Sequence, residues 1–183
     1  MASTRDDLVE MSQYVWQRLQ DRLVGLTDEE YFWEPVANCL TVRQGADGVF
    51  RSDGPQGPDE PVRFTTLAWR LSHISDFLRE QRNGPWLGQP VPELPVRTGD
   101  PASAAEALLA LETSYGAWRT VLEGTTEESL NAPIGKPAGH YGTASRRSFA
   151  LHVLDELIHH GAEAALLRDL YAVRSDSTPE RSG

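Results

Sequence analysis

Residues 145–172 form the longest uninterrupted helical pattern in the chain. Apolar side chains recur there every three or four positions, and one carboxylate and one imidazole occur in the same series. The series is Phe149, Val153, Glu156, His160, Ala164, Leu167 and Tyr171. Residues at this spacing share one face of a helix, so Glu156 and His160 should lie on the face that packs against the rest of the protein. Because an unpaired buried charge is costly, these two groups should pair or bind a metal ion.

Length and charge narrow the class of protein. With 183 residues, 39% of them hydrophobic, the chain should form one globular domain with a sizeable core. A formal net charge of −10 argues against a nucleic-acid partner, because no basic patch offsets repulsion from the phosphates. No apolar run approaches the roughly 20 residues that span a bilayer, so we expect no membrane partner.

The N-terminus and the cysteine count indicate the compartment. Residues 1–7 have no apolar signal region, and Cys39 is the single cysteine, so no internal disulfide can form. We therefore expect a cytoplasmic protein.

Three other long helical patterns precede the last one. They cover approximately residues 4–24, 65–85 and 101–124. Gly25 can end the first, and the sequence Ser-Ala-Ala-Glu at residues 103–106 is a capping box for the third. Residues 27–30 carry a second capping-box pattern, which predicts a short helical turn.

The segments between these helices predict the topology. Asp47-Gly48 separates two short strand-like runs, residues 40–43 and 49–51, and so predicts a small hairpin. Residues 85–99 contain four prolines, and at about 3.1 Å per residue they could run the length of a 30 Å helix. We therefore predict an all-α fold, a four-helix bundle with long crossover loops and a small hairpin between the first two long helices. The bundle should span residues 1–173, followed by a mobile tail at residues 174–183.

A candidate metal site follows from this bundle. Glu156 and His160 are four residues apart, so one cation could reach both side chains. A third ligand must come from another helix, and His73 is the best candidate, since it lies mid-helix with Trp69 and Phe77 at four-residue spacing. Two histidines and one carboxylate leave coordination positions open, as a catalytic site requires. The alternative is that these residues form ordinary ion pairs or a satisfied core histidine.

Three other histidines compete for a role. His159 lies about 100° around the helix from His160, so both are unsuited to binding one ion. His152 is one turn before Glu156 and could join the site or support it by a hydrogen bond. His140 lies in a glycine-rich loop and should be exposed.

Three segments resemble one known family. Residues 65–74, Thr-Thr-Leu-Ala-Trp-Arg-Leu-Ser-His-Ile, look like helix two of the DinB/YfiT-like superfamily, and residues 155–163 look like its helix four. Residues 31–36 resemble a recurrent early loop of that group. The resemblance implies a four-helix bundle with a metal held by three side chains, which map onto His73, Glu156 and His160. Many members have His-xxx-His on helix four, whereas the mycothiol-dependent maleylpyruvate isomerase branch has His, Glu and His, as here.

The resemblance also implies an activity. Those isomerases carry an additional C-terminal domain, for which this sequence has no room after the last helix, so we do not expect isomerase activity itself. The broader expectation is a metal-dependent S-transferase that joins a low-molecular-weight thiol to an electrophile in detoxification or stress response. The alternative is a non-catalytic metal-binding stress or accessory protein.

The remaining expectations concern ligands and assembly. Zinc is the first choice for a site of two histidines and one glutamate, with nickel, iron or manganese as alternatives. Trp69 could line the pocket that holds the thiol, and Arg70 could contact an anionic cosubstrate. A homodimer is the expected assembly.

Overall fold

The computed structural model describes residues 3–54 and 63–174. Within these residues there are seven α-helices, two short β-strands and one 3-10 helix. The α-helices are α1 (Thr4–Leu23), α2 (Asp28–Tyr31), α3 (Leu67–Leu78), α4 (Asn83–Trp86), α5 (Ala104–Glu123), α6 (Glu127–Asn131) and α7 (Arg146–Val173). The strands are β1 (Val42–Gln44) and β2 (Phe50–Ser52), and the 3-10 helix is Lys136–Tyr141. Residues 175–183, which make up nearly all of the predicted tail, lie outside the described residues.

Four long helices, α1, α3, α5 and α7, form a bundle, as the sequence predicts. The closest packing joins α3 to α5, α1 to α7, α3 to α7 and α1 to α5, so the order around the bundle is α1, α7, α3, α5. The core contains the apolar faces of all four helices. At its centre Trp118 of α5 is fully buried, and its indole N–H donates to Ser12 Oγ of α1 over 3.2 Å.

Contacts between residues give the directions of the helices. Ser75 of α3 bonds to Ser114 of α5 at 2.8 Å, and Leu78, one turn later, lines a small cavity with Val121. These contacts advance together along both helices, so α3 and α5 are parallel. Two parallel neighbours joined in sequence need a connection that returns along the bundle, which is the predicted crossover.

The other helix pairs complete the topology. In the α3–α7 pair, His73 lies beside His160 and Phe77 beside His152, so these helices are antiparallel. In the α1–α7 pair, residue numbers rise together from Leu19 and Gly161 to Arg22 and Asp169, so these helices are parallel. The bundle therefore has up-down-down-up topology.

The predicted end of the second long helix is wrong. The apolar pattern predicts a helix to residues 83–85, but α3 ends at Leu78. The side-chain amide of Asn83 donates to the carbonyls of Phe77 and Leu78 at 3.0 and 3.1 Å, so it satisfies the last turn of α3. The chain then turns and forms the separate short helix α4.

The predicted hairpin is present, shifted by one or two residues. β1 pairs with β2 in antiparallel register, with Arg43 opposite Arg51. Gly48 in the turn has φ +80°, a conformation that favours glycine. The hairpin contacts the bundle next to the candidate site, where the indole N–H of Trp69 donates to the carbonyl of Asp53 over 3.0 Å.

Candidate metal centre

Two antiparallel helices bring the predicted ligands together. The N-cap residue Thr66 precedes α3, and its side chain accepts a hydrogen bond from the amide of Trp69. The buried residues Leu71 and Ile74 of α3 turn inward. His73 lies at the edge of this buried face and is partly exposed. On α7 the buried residues Val153, Leu157 and Ala164 hold the facing side of the helix in place. This packing sets Glu156 and His160 opposite His73.

The geometry of the three side chains suits a small cation. One ligand atom from each of His73, Glu156 and His160 can be chosen so that all lie within 4.8 Å of one another. His160 Nε2 lies 3.0 Å from Glu156 Oε2, and the two imidazole rings are 4.6 Å apart at 85°. Ligand atoms on a tetrahedral zinc ion are about 3.3 Å apart, given bond lengths near 2.0–2.1 Å. Small side-chain adjustments would therefore place all three around one ion.

Burial sets the electrostatics of the site. The His160 side chain is 13% exposed and that of Glu156 is 28% exposed, so the site is shielded yet open on one side. Burial, followed by the nearby His160 and Arg70, lowers the pKa of His73 below its ordinary value, although Glu156 and Glu163 act in the opposite direction. His73 is therefore uncharged at neutral pH, and the uncharged imidazole is the form that binds a metal.

Trp69 lies against the triad. Its ring stacks on His73, with centroids 5.1 Å apart and planes 13° apart. Because its indole N–H bonds to Asp53, the ring is held between α3 and the hairpin. Trp69 thus covers one face of the imidazole ring of His73. Its predicted contact with a cosubstrate stays a prediction.

Arg70 is also beside the triad, but it is engaged by its own chain. Its side chain is only 12% exposed, and Nε lies 3.0 Å from Glu163 Oε2. One terminal nitrogen donates to Thr65 Oγ1 over 3.2 Å, and the guanidinium lies 5.0 Å from the centroid of the Trp69 ring. Its predicted role in holding an anionic cosubstrate stays a prediction, and any such ligand must compete with Glu163.

Two other candidate histidines, His152 and His159, lie at the exposed edge of the site. His152 is 50% exposed, and its Nδ1 is 3.9 Å from Glu156 Oε1, too long for a hydrogen bond. His159 is 63% exposed and lies 3.3 Å from Glu163 Oε1. His159, His160 and Glu163 form a second group with ligand spacing. However, the Arg70 guanidinium lies 2.9 Å from His160 Nδ1, which disfavours a second cation there.

Comparison with known proteins agrees with this architecture. A family model described as the DinB superfamily matches residues 12–164. The chain belongs to the DinB superfamily. No curated protein and no solved structure matches it. The match includes all four long helices in whole or in part and every residue of the candidate triad, so the predicted all-α DinB-type fold is confirmed.

The structure places one further residue of this DinB protein, Glu163, at the site, and the sequence did not predict that position. Glu163 Oε2 lies 2.7 Å from His160 Nδ1, the ring nitrogen that points away from Glu156. Glu163 follows His160 by three positions, a spacing at which helical side chains are neighbours. That three-residue spacing could have indicated from the sequence that the two side chains meet.

This DinB protein has further cavities away from the triad. One of about 530 Å³ is bounded by the hairpin, the crossover and α5, with Phe50, Arg97 and Leu109 in its wall. It lies on the α5 side of α3, whereas the triad lies on the α7 side. None of the helices within residues 3–54 and 63–174 combines the length and apolar character of a membrane span.

Proposed function

We propose that this DinB protein binds one divalent ion through His73, Glu156 and His160 and transfers a low-molecular-weight thiol to an electrophile. The observation that carries the proposal is the convergence of two imidazoles and one carboxylate from facing helices in a partly shielded site. Two histidines and one carboxylate are a ligand set that leaves coordination positions for a substrate. Zinc is the first choice, with nickel, iron or manganese as alternatives.

The chemistry requires a thiolate. When bound, a divalent ion lowers the pKa of a thiol and so supplies the nucleophile at neutral pH. In transfer to an alkyl halide, the thiol sulfur forms a bond to carbon, the carbon–halogen bond breaks, and the thiol proton passes to solvent. The protein's own contribution is to orient the ligands, with Trp69 against His73, and to limit access of water through the buried side of the site.

A second candidate function is a metal-binding stress or accessory protein without catalysis. The observation that favours it is the engagement of the charged neighbours of the triad. Arg70 and Glu163 are 3.0 Å apart and pair with each other, so neither is available as a free acid or base.

The predicted homodimer and cytoplasmic location remain proposals, and light scattering during size-exclusion chromatography tests the dimer.

Metal content tests the site. Protein purified without a metal-affinity column should carry about one divalent ion per chain, measured by elemental analysis. His73→Ala and His160→Ala should lose the ion because each removes a ligand. His140→Ala, at an exposed position outside the triad, is the control and should retain it. Stoichiometric metal in His160→Ala would remove this ligand assignment.

Thiol chemistry separates the enzyme from the binding protein. Cobalt-substituted protein should change its visible spectrum on addition of thiol, and metal-loaded protein should accelerate conjugation of the thiol to monochlorobimane. Mycothiol is the first thiol to test, because of the Glu-type triad, followed by bacillithiol and glutathione. Glu156→Ala should abolish conjugation. If no thiol alters the cobalt spectrum and conjugation stays at background, the non-catalytic function is preferred.

A further inference from the structure

One nitrogen of His160 has two partners of opposite character. Its Nδ1 lies 2.7 Å from the carboxylate oxygen Oε2 of Glu163 and 2.9 Å from a terminal guanidinium nitrogen of Arg70. Glu163 can only accept a hydrogen bond there, whereas Arg70 can only donate one. The other nitrogen, Nε2, lies 3.0 Å from Glu156 Oε2, inside the triad.

These partners satisfy two different tautomers of the imidazole. With the proton on Nε2, His160 donates to Glu156, and Nδ1 accepts from Arg70. That tautomer has no lone pair for a metal on the side of the triad. With the proton on Nδ1, His160 donates to Glu163, and the Nε2 lone pair faces Glu156 and His73. Only the second tautomer can use Nε2 as a ligand.

We propose that Glu163 is a positioning residue for the metal centre. It accepts a hydrogen bond from the Nδ1–H group of His160 and so favours the tautomer whose Nε2 lone pair faces Glu156 and His73. A carboxylate behind a metal-ligating histidine fixes the ring and raises its basicity as a ligand. This inference rests on the metal site proposed above.

Arg70 holds Glu163 in this role. Its Nε is 3.0 Å from the same carboxylate oxygen that faces His160, and Arg70 itself bonds to Thr65. The carboxylate therefore stays near the ring without an ion to organise it. Arg70 also predicts the result of removing Glu163. Its terminal nitrogen remains to donate to Nδ1 of His160, so the imidazole proton then resides on Nε2.

His159 provides an internal control. It contacts the other carboxylate oxygen of Glu163, Oε1, at 3.3 Å and is largely exposed. Removing the His159 ring leaves the contact between Glu163 Oε2 and His160 untouched. Asp155→Ala is a second control, because it removes one negative charge from an exposed position on the same helix.

The test is zinc affinity, measured by competition with a chromophoric chelator. Glu163→Ala should weaken binding by about 10- to 100-fold, as removal of such supporting groups typically does. Glu163→Gln keeps a neutral acceptor and should give an intermediate affinity. His159→Ala and Asp155→Ala should match the wild type. Thermal unfolding of each variant establishes that it is folded.

A second measurement distinguishes positioning from a merely structural role. In zinc-loaded wild type the Nδ1 proton of His160 should be protected from exchange and visible by NMR, and Glu163→Ala should lose that signal. Wild-type affinity and an unchanged Nδ1 signal in Glu163→Ala would overturn the inference while leaving the metal site intact. Failure of the wild type to bind zinc, nickel, iron and manganese would overturn the metal site as well.

Discussion

At the scale of single residues, an enclosed ion pair joins α2 to α7, and its arginine also contacts the end of α1. Arg168 contacts both carboxylate oxygens of Glu30, at 2.7 and 3.0 Å, and its third nitrogen donates to the carbonyl of Val24 over 2.9 Å. The Glu30 side chain is only 6% exposed. One guanidinium therefore satisfies a buried carboxylate and a backbone carbonyl just past the last turn of α1.

Loss of Arg168 should be strongly destabilising. We expect Arg168→Ala to lower the free energy of unfolding by about 3–5 kcal/mol, because it leaves Glu30 charged, buried and unpaired. Urea denaturation measures the change. The matched control is Arg174→Ala, whose partner Glu29 is 77% exposed. That variant should lose no more than about 1 kcal/mol. Equal losses in the two variants would contradict the role given to burial.

The phenol of Tyr31 predicts a loss of stability at alkaline pH. Tyr31 is fully buried and donates to the carbonyl of Pro101 over 3.2 Å, and burial raises its pKa well above the ordinary value. The unfolded phenol ionises near pH 10, so only the unfolded state gains from losing the proton above that pH. The contribution to stability is full below about pH 10 and is lost as the pH rises further.

Urea unfolding at increasing pH checks this expectation. The free energy of unfolding of the wild type should fall more steeply above about pH 10 than that of Tyr31→Phe, which has no proton to lose. The variant keeps some slope, because burial also raises the pKa of Tyr115. Parallel curves for the two proteins would contradict the prediction.

At the scale of elements, two glycines should respond to alanine in opposite ways. Gly116 lies inside α5, is exposed, and has open space where a Cβ would be. A Cβ on Gly84 would lie 2.5 Å from the carbonyl oxygen of Pro90. Gly116→Ala should therefore raise the free energy of unfolding by roughly 0.5–1 kcal/mol, since alanine is the better helix former. Gly84→Ala should lower it, because the α4 turn must move away from the crossover. Thermal unfolding of both variants shows whether each change raises or lowers stability. A stabilised Gly84→Ala would contradict the proposed close contact.

The helices themselves could be predicted from local pattern, but their ends depended partly on distant atoms. Periodicity and capping residues predicted α1, α5 and α7 to within a few residues, since those signals are local. The end of α3 could not be predicted in this way, because Asn83 satisfies its last carbonyls from beyond the turn. Likewise, the Glu106 carboxylate accepts from the amide of Ala102 over 2.8 Å, instead of from the N-cap Ser103 as a capping box requires.

The candidate site shows the same limit. Glu156 and His160 lie on one helix, so their spacing alone predicted that they would meet. His73 was predicted from its mid-helix position between Trp69 and Phe77, and the family resemblance supported that choice. Spacing alone does not show which helix packs against α7. Arg70 was predicted to face a ligand, but its ion pair with Glu163 depends on the antiparallel packing of α3 and α7. No periodicity in either helix encodes that pairing.

At the scale of the whole molecule, metal removal should lower the melting temperature without unfolding the protein. If the free ion is present at about 100 times its Kd and binds only the folded state, it raises the free energy of unfolding by about 2.7 kcal/mol. For a chain of this size that corresponds to roughly 5–10 °C. The fold should survive, because the core of the bundle is separate from the triad. Circular dichroism melts with and without chelator, followed by metal addition, measure the shift.

Two results would contradict this prediction. An unchanged melting curve after verified metal removal would show that the site is weakly coupled to the fold. Complete unfolding would show that the ion is a structural requirement of the bundle. His160→Ala is the control and should melt at the same temperature with and without chelator.

The separation of the ligands along the chain has a kinetic consequence. His73 lies 83 residues before Glu156 in the sequence, so the three ligands meet only when α3 and α7 have docked. We expect this docking late in folding, because contacts between distant segments carry a large loop-closure cost. An ion shared between the helices would therefore contribute little to the rate of folding. It would instead slow unfolding, because parting the two helices requires at least one ligand to release it. The lifetime of the loaded protein under proteolysis would then depend on how fast the ion dissociates.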